Sequence, residues 1–477
     1  MDSILYWNAV ALEANRVSHT NGAKEQTGPT LSSRALAIVH LAMYDAYAGI
    51  NVDAVNLPPY MPGLPPPGAG ADSAAAVAAA AHATLSSLFP AQRALFDKKL
   101  REVGLSGGGI DAGRSFGQLV ALRLLADRKC DPDASDAGWC ASMAPKAHRL
   151  DPDNPGQGFY APFYGAKSKG FAITTRLELD SPTTLTAAEY QRAEREVRGK
   201  GIAPELMGTL PSGVLGISRR TVDETLIGVY WGYDGALEIG TPPRLYNQIV
   251  REVANAQGND EKKNARLFAL VNAAMADAGI LAWDQKYIHN FWRPVVGIRE
   301  DDLSMGPAGQ MGSNIDNDCD PCWLPLGAPA SNSTAKNFTP PFPAYPSGHA
   351  TFGAAAFHIT RLFFNVAPGD QSSDLLFAGK GFVSDEFNGE TRDNKGTVRP
   401  KHTRSFANGL WQMIEENARS RVFLGVHWVF DSFAVTPGGA MDLTRNIGGV
   451  PLGLNIAEEV FAASQSAGWK SPVGPRP

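Results

Sequence analysis

Three stretches of this sequence combine cations, histidines and a glycine in patterns that suit an oxyanion. Residues 283–300 read WDQKYIHNFWRPVVGIRE. Lys286 and Arg293 are seven residues apart, two helical turns, which predicts both on one helix face about 20° out of register. Pro294 then ends or kinks that helix. Taken alone, the pair reads more simply as two cations whose stems cover an apolar surface.

Residues 341–364 read PFPAYPSGHATFGAAAFHITRLFF, a proline-rich loop running into an Ala/Phe-rich helical pattern. A helix N-terminus presents unpaired backbone N–H groups and a partial positive charge. Gly348 there leaves the backbone open to an anion, Ser347 adds a hydroxyl, and His349 can trade a proton with whatever binds. Its plain alternative is an N-cap serine followed by a solvent-facing histidine. Residues 420–431 read SRVFLGVHWVFD. Arg421 supplies another fork-shaped cation. His427 sits in an apolar run, with Asp431 at i+4 placed to hold one ring nitrogen and turn the other inward. The plain alternative is a core histidine satisfied by a nearby carboxylate. Together, three cations, a helix N-terminus and two histidines suit one tetrahedral or trigonal-bipyramidal oxyanion. At an effective dielectric near 20, each close cation–anion contact contributes about 4 kcal/mol before desolvation.

The rest of the chain must position these groups. It has 477 residues, 44% hydrophobic and 19% charged, which is enough for a sizeable core. A net charge of -5 argues against nucleic acid as a partner but allows a locally basic pocket. No membrane span is expected, because no run of 18 uninterrupted apolar residues occurs. The start carries Asp2 and no basic leader, so it reads as a first helix and not as a signal peptide. Cys130, Cys140, Cys319 and Cys322 lack a second C-x-x-C pair and a spaced histidine, which disfavours zinc. Cys319 and Cys322 read as a local disulfide or as two thiols.

Strand signals are scarce and helical periodicity dominates. Helices are expected near 3–17, 31–50, 72–88, 91–104, 109–128, 185–197, 219–234, 242–256, 262–291, 347–365, 375–386, 403–422, 427–436 and 454–464. Long irregular segments at 53–72, 129–182 and 301–346 read as functional or lid-like loops. The fold class is all-α: two helical bundles packed together, 1–210 and 211–477, with a seam near 200–218 and the active site in the C-terminal bundle.

The ordered motifs K-x6-R-P (Lys286 to Pro294), P-S-G-H (Pro346 to His349) and S-R-x5-H-x3-D (Ser420 to Asp431) resemble the signature shared by vanadium-dependent haloperoxidases and the type 2 phosphatidic acid phosphatase superfamily. The surroundings, such as YDGALEIGTPPRLYNQIV and IGGVPLGLNIAEEVF, are similar to the vanadium chloroperoxidases over about residues 225–461. The resemblance implies vanadate as cofactor, with His427 as its direct ligand. Lys286, Arg293, Ser347, Gly348, His349 and Arg421 would surround it. His349 would take a proton from hydrogen peroxide, and Asp234 would brace Arg421. It further implies that Trp283 and Phe342 wall the halide and peroxide pocket, an apolar setting that leans toward chloride, with bromide and iodide also accepted. Halide and hydrogen peroxide are the implied partners, with room for a small organic acceptor. A soluble acid phosphatase with His427 as nucleophile is the alternative.

Several look-alikes need separating from the site. Residues 33–40, SRALAIVH, repeat S-R-x5-H, with Asp45 five beyond His40. The partner motifs are missing from that half, so His40 is expected in the core. His289 and His358 are expected to pack beside the site helices. Asp301 and Asp302 read as a solvated loop, and 384–404 as a charged surface excursion near the pocket mouth.

Overall fold

The computed structural model describes residues 2–211, 216–307, 309–311 and 318–477. Parts of the candidate seam (212–215) and of the 301–346 loop (308 and 312–317) lie outside the described residues. Helices are the main regular structure of the described residues. In order, the helices are α1 (Ser3–Ser18), α2 (Pro29–Ile50), α3 (Ser73–Leu88), α4 (Arg93–Glu102), α5 (Ile110–Asp127), α6 (Tyr164–Lys167) and α7 (Ala187–Lys200). There follow α8 (Val222–Tyr230), α9 (Pro242–Ala256), α10 (Glu261–His289), α11 (Pro294–Gly297), α12 (Gly348–Phe363), α13 (Gly409–Phe423) and α14 (Gly449–Ala463). Among the described residues, strand is confined to two antiparallel pairs, β1 (Gly381–Val383) with β2 (Thr403–Ser405) and β3 (Ala434–Val435) with β4 (Met441–Asp442).

The core is organised around α10. Its residues from Leu267 to Lys286 are almost all buried, because α2 covers one side and α12 another. Among the described residues α10 alone is long and apolar enough to cross a membrane, and it is buried inside the protein. Its start is fixed by Asp260, whose carboxylate accepts from the Lys263 N–H at 2.8 Å. α12 packs in turn on α13 and α14, and α3 packs on α2 and α5.

Three expectations need correction. Residues 375–386 form no α-helix: Gly379 has φ +73° and Gly381 opens β1, so the chain is irregular there until a 3₁₀ turn at Asp385–Phe387, with Leu375 exposed and Phe377 buried against Phe406 at 6.1 Å. Residues 427–436 also form no helix. The chain there makes a single 3₁₀ turn at Val429–Asp431 and then β3. Lys286 and Arg293 do not share a helix face, because α10 ends at His289 with Asn290 in the left-handed region at φ 45°. Arg293 is then the extended residue preceding α11, and Pro294 starts that helix instead of ending one. Smaller differences are the start of α13 at Gly409 and of α14 at Gly449.

The cysteines carry the thiol reading: the Cys319 Sγ–H donates to the Arg299 carbonyl at 3.6 Å, and Cys322 is an exposed thiol.

Candidate active site

The last turn of α10, the turn after it, the N-terminus of α12 and the turn after α13 meet at one place. Arg293 Nη1 donates to His427 Nε2 at 2.9 Å and to the Val426 carbonyl at 2.7 Å. His427 Nδ1 lies 2.8 Å from Asp431 Oδ2. The expected i+4 contact therefore forms, through the 3₁₀ turn and not through a helix. With Nδ1–H donated to the carboxylate, Nε2 keeps the lone pair. Burial first, then Arg293 and Lys286, holds His427 well below its ordinary pKa, so it is neutral.

Arg421 is braced as expected: its Nη2 and Nη1 donate to Asp234 at 2.8 and 3.0 Å, a two-pronged pair with both partners buried. His349 Nε2–H donates to the Gly232 carbonyl at 2.7 Å, which leaves Nδ1 with the lone pair. Burial, then Arg421, lowers His349 to about 4, so at neutral pH the ring is unprotonated at Nδ1. Its backbone carbonyl is gripped by Asn417 Nδ2 at 2.8 Å and Tyr246 Oη at 3.2 Å.

Ser347 caps α12, accepting weakly from the Ala350 N–H at 3.4 Å, and its own N–H donates to the Asp431 carbonyl at 2.7 Å. Gly348 follows; a Cβ there would come within 3.3 Å of the Trp283 ring. Lys286 is fully buried and donates to three loop carbonyls, Pro346 at 2.6 Å, Pro343 at 2.7 Å and Ala344 at 3.1 Å. Its ammonium also lies 5.0 Å from the Phe342 ring centre and 5.6 Å from that of Trp283.

A pocket of about 120 Å³ opens over these groups. Asp234, Gly348, His349, Arg421 and His427 face it, together with Trp283 and Phe342. Lys286, Arg293 and Ser347 are buried next to it, not on its surface. Three buried cations stand here against two carboxylates, Asp234 and Asp431. Arg293 Nη2 and Arg421 Nε are buried without a hydrogen-bond partner. Burial pushes Lys286 well down and Arg293 to about 9. Unspent positive charge in a dry site, beside an imidazole lone pair, fits an oxyanion that can also accept a nitrogen ligand. Vanadate meets both requirements.

All eleven residues expected at the site are thus brought together. Sequence reasoning missed Tyr160 on the pocket wall, the Gly232 carbonyl, and the pair Asn417 and Tyr246. It also underrated residues 384–386. Ser384 Oγ donates to the Tyr230 carbonyl at 2.7 Å, and the Asp385 N–H donates to Tyr233 Oη at 2.8 Å, so the excursion holds the loop carrying Gly232 and Asp234. The one available signal was the length of the 129–182 and 384–404 segments.

His40 is a core residue. Its Nδ1 bonds its own helix at the Leu36 carbonyl (2.6 Å) and Nε2 meets Asn8 Nδ2 at 2.8 Å. His289 stacks edge-on against Tyr345 at 5.1 Å, and His358 pairs with Glu458 at 3.1 Å.

Residues 266–450 match the family model of the VCPO second helical-bundle domain, and residues 1–100 that of the vanadium chloroperoxidase N-terminal domain. Vanadium chloroperoxidase of Curvularia inaequalis is 36% identical, over 96% of this chain and 89% of that protein. A bacterial vanadium-dependent iodoperoxidase shares the fold at 18% identity and TM-score 0.58, covering 95% of each chain. The holo form of a bacterial vanadium-dependent chloroperoxidase does so at 17% identity and TM-score 0.60, covering 92% of each.

Proposed function

The chain belongs to the vanadium chloroperoxidase family, and on that premise we propose that it is a vanadium-dependent haloperoxidase that oxidises halide with hydrogen peroxide in the pocket above His427. The observation that carries the reading is the neutral, carboxylate-held His427 surrounded by buried cations.

Each side chain then has a task. His427 Nε2 would anchor vanadate in place of the hydrogen bond it accepts from Arg293 Nη1, and Asp431 fixes the tautomer that leaves Nε2 unprotonated. Arg293 and Arg421 present the unpartnered Nη2 and Nε to the oxyanion. Gly348, at the N-terminus of α12, offers its backbone N–H, and Ser347 holds that helix end in place. Lys286 contributes charge while its three protons pin the proline loop that carries Phe342. When bound, vanadate supplies Lewis-acid activation of peroxide. His349, unprotonated at rest, would accept a proton from incoming hydrogen peroxide at Nδ1, where the negative charge of the bound oxyanion favours the protonated ring. Trp283 and Phe342, whose rings lie 4.7 Å apart, give the halide a dry wall. Chloride, bromide and iodide are the proposed halides. A small organic acceptor is a further proposed partner, supported by the apolar walls of the pocket. The division into bundles 1–210 and 211–477 is also proposed, supported by the two family matches falling on either side of that boundary.

The test is reconstitution of the apo-protein with orthovanadate, followed by halogenation of a dye with peroxide and each halide. Phosphate-ester cleavage is assayed in parallel without vanadate. Vanadate-dependent halogenation is expected. Ester cleavage without it would overturn the reading.

A further inference from the structure

Resting on the haloperoxidase reading, we infer that Tyr160, from the loop between α5 and α6, is the third aromatic wall of the halide pocket and sets how dry that pocket is. Its ring lies 6.0 Å from Trp283, edge-on, and 6.1 Å from Phe342. Every polar group of Tyr160 is turned to protein. Its N–H donates to the Pro341 carbonyl at 2.8 Å. Its carbonyl accepts from Trp283 Nε1 at 3.3 Å and from Tyr287 Oη at 2.7 Å. Its hydroxyl meets the Thr27 carbonyl at 3.0 Å and Thr30 Oγ1 at 2.8 Å. What remains for the pocket is the apolar face of the ring.

One residue therefore fixes both neighbouring aromatics, by backbone bonds to Trp283 and to the strand of loop just before Phe342. The ring is itself clamped from the amino-terminal side by Gly28. That residue has φ +77°, and a Cβ on it would lie 2.4 Å from Tyr160 Oη. Chloride is the most tightly hydrated and least easily oxidised of the three halides. A wall that admits water weakens the field around the bound oxyanion and leaves chloride hydrated, so chloride turnover suffers first and iodide last. Tyr160 is thus a specificity-determining residue, contributed by a part of the chain that carries none of the three motifs.

The experiment compares wild type, Tyr160→Leu, Tyr160→Phe and Gly28→Ala as vanadate-loaded enzymes, reading kcat/KM for chloride, bromide and iodide. The chloride-to-iodide ratio is expected to fall about tenfold or more in Tyr160→Leu, and to be restored to within about twofold of wild type in Tyr160→Phe, which keeps the ring. Gly28→Ala, which displaces the same ring from another element, is expected to lower the ratio in the same direction. It carries the test if Tyr160→Leu melts below the assay temperature. Apo-protein crystals soaked in bromide give a readout without turnover: an anomalous peak against the three rings in wild type, lost in Tyr160→Leu. Equal losses for all three halides, failure of Tyr160→Phe to restore the ratio, or bromide lying away from Tyr160 in wild type would overturn the assignment. A wild-type enzyme without vanadate-dependent iodide oxidation would remove the haloperoxidase reading itself, a result distinct from any of these.

Discussion

Two stretches of this chain spell S-R-x5-H, and only one of them reaches a pocket. In residues 33–40 the helix α2 runs unbroken, so Arg34 and His40, six residues apart, point about 120° away from each other. Arg34 goes to Asp131 at 2.8 Å and His40 to Asn8 at 2.8 Å. In residues 420–427 the helix α13 stops at Phe423, and the chain turns at Gly425 with φ +74°. That turn brings His427 round to the same pocket as Arg421. At the position matching Gly425, α2 has Ile38, buried in mid-helix. The letters of a motif give residue types, and a single left-handed glycine decides whether they converge.

Four substitutions break or sharpen this contrast: three act on vanadate binding, and the one at His40 acts on stability alone. His427→Ala abolishes vanadate retention and turnover, read as vanadium remaining after desalting. His40→Ala leaves vanadate binding intact and lowers stability by about 1–3 kcal/mol in urea melts, because two buried hydrogen bonds are lost. Asp431→Asn weakens vanadate binding by roughly 10–100-fold in calorimetric titrations, since the ring it orients loses its partner. Gly425→Ala places a Cβ 2.4 Å from the Gly201 carbonyl oxygen in a left-handed conformation. It should cost about 1–3 kcal/mol of stability with a parallel loss of vanadate affinity; unchanged affinity would show that the turn does not aim His427.

Asp45, the acid after the silent motif, should affect only the pH dependence of stability. Its carboxylate accepts from the N–H groups of Tyr60 at 2.7 Å and Met61 at 2.9 Å, yet burial raises its pKa from 3.8 to about 7. Between those values the folded chain holds a proton that the unfolded chain has released. Stability from this group therefore falls as pH rises from about 4 to about 7 and is level above that. Asp45→Asn has no proton to release, so its stability relative to wild type should rise across the same window, measured as urea midpoints at several pH values.

The cage was legible because its residues carry their chemistry in their types and lie in compact motifs. The long periodic helices α1, α3, α9 and α10 were legible for a similar reason, since burial of one face imposes a local repeat. The runs 375–386 and 427–436 failed because apolar residues buried from irregular loops look like helix when read locally. Gly379 and Gly425 were the contrary signals. The shared-face reading of Lys286 and Arg293 failed at Asn290, a residue type that tolerates the left-handed region and stands four before a proline. Tyr160 was invisible for another reason. Its partner Trp283 is 123 residues away, and nothing in either neighbourhood announces the contact.

Helix α10 is wedged between α2 and α12, and the ammonium at its far end stitches down the proline loop. A shortened catalyst cut from the carboxy-terminal half would keep every signature residue while stripping the cover from the rod they are mounted on. Miniaturising this enzyme therefore means redesigning the surface α2 now shields, or supplying α2 as a separate peptide.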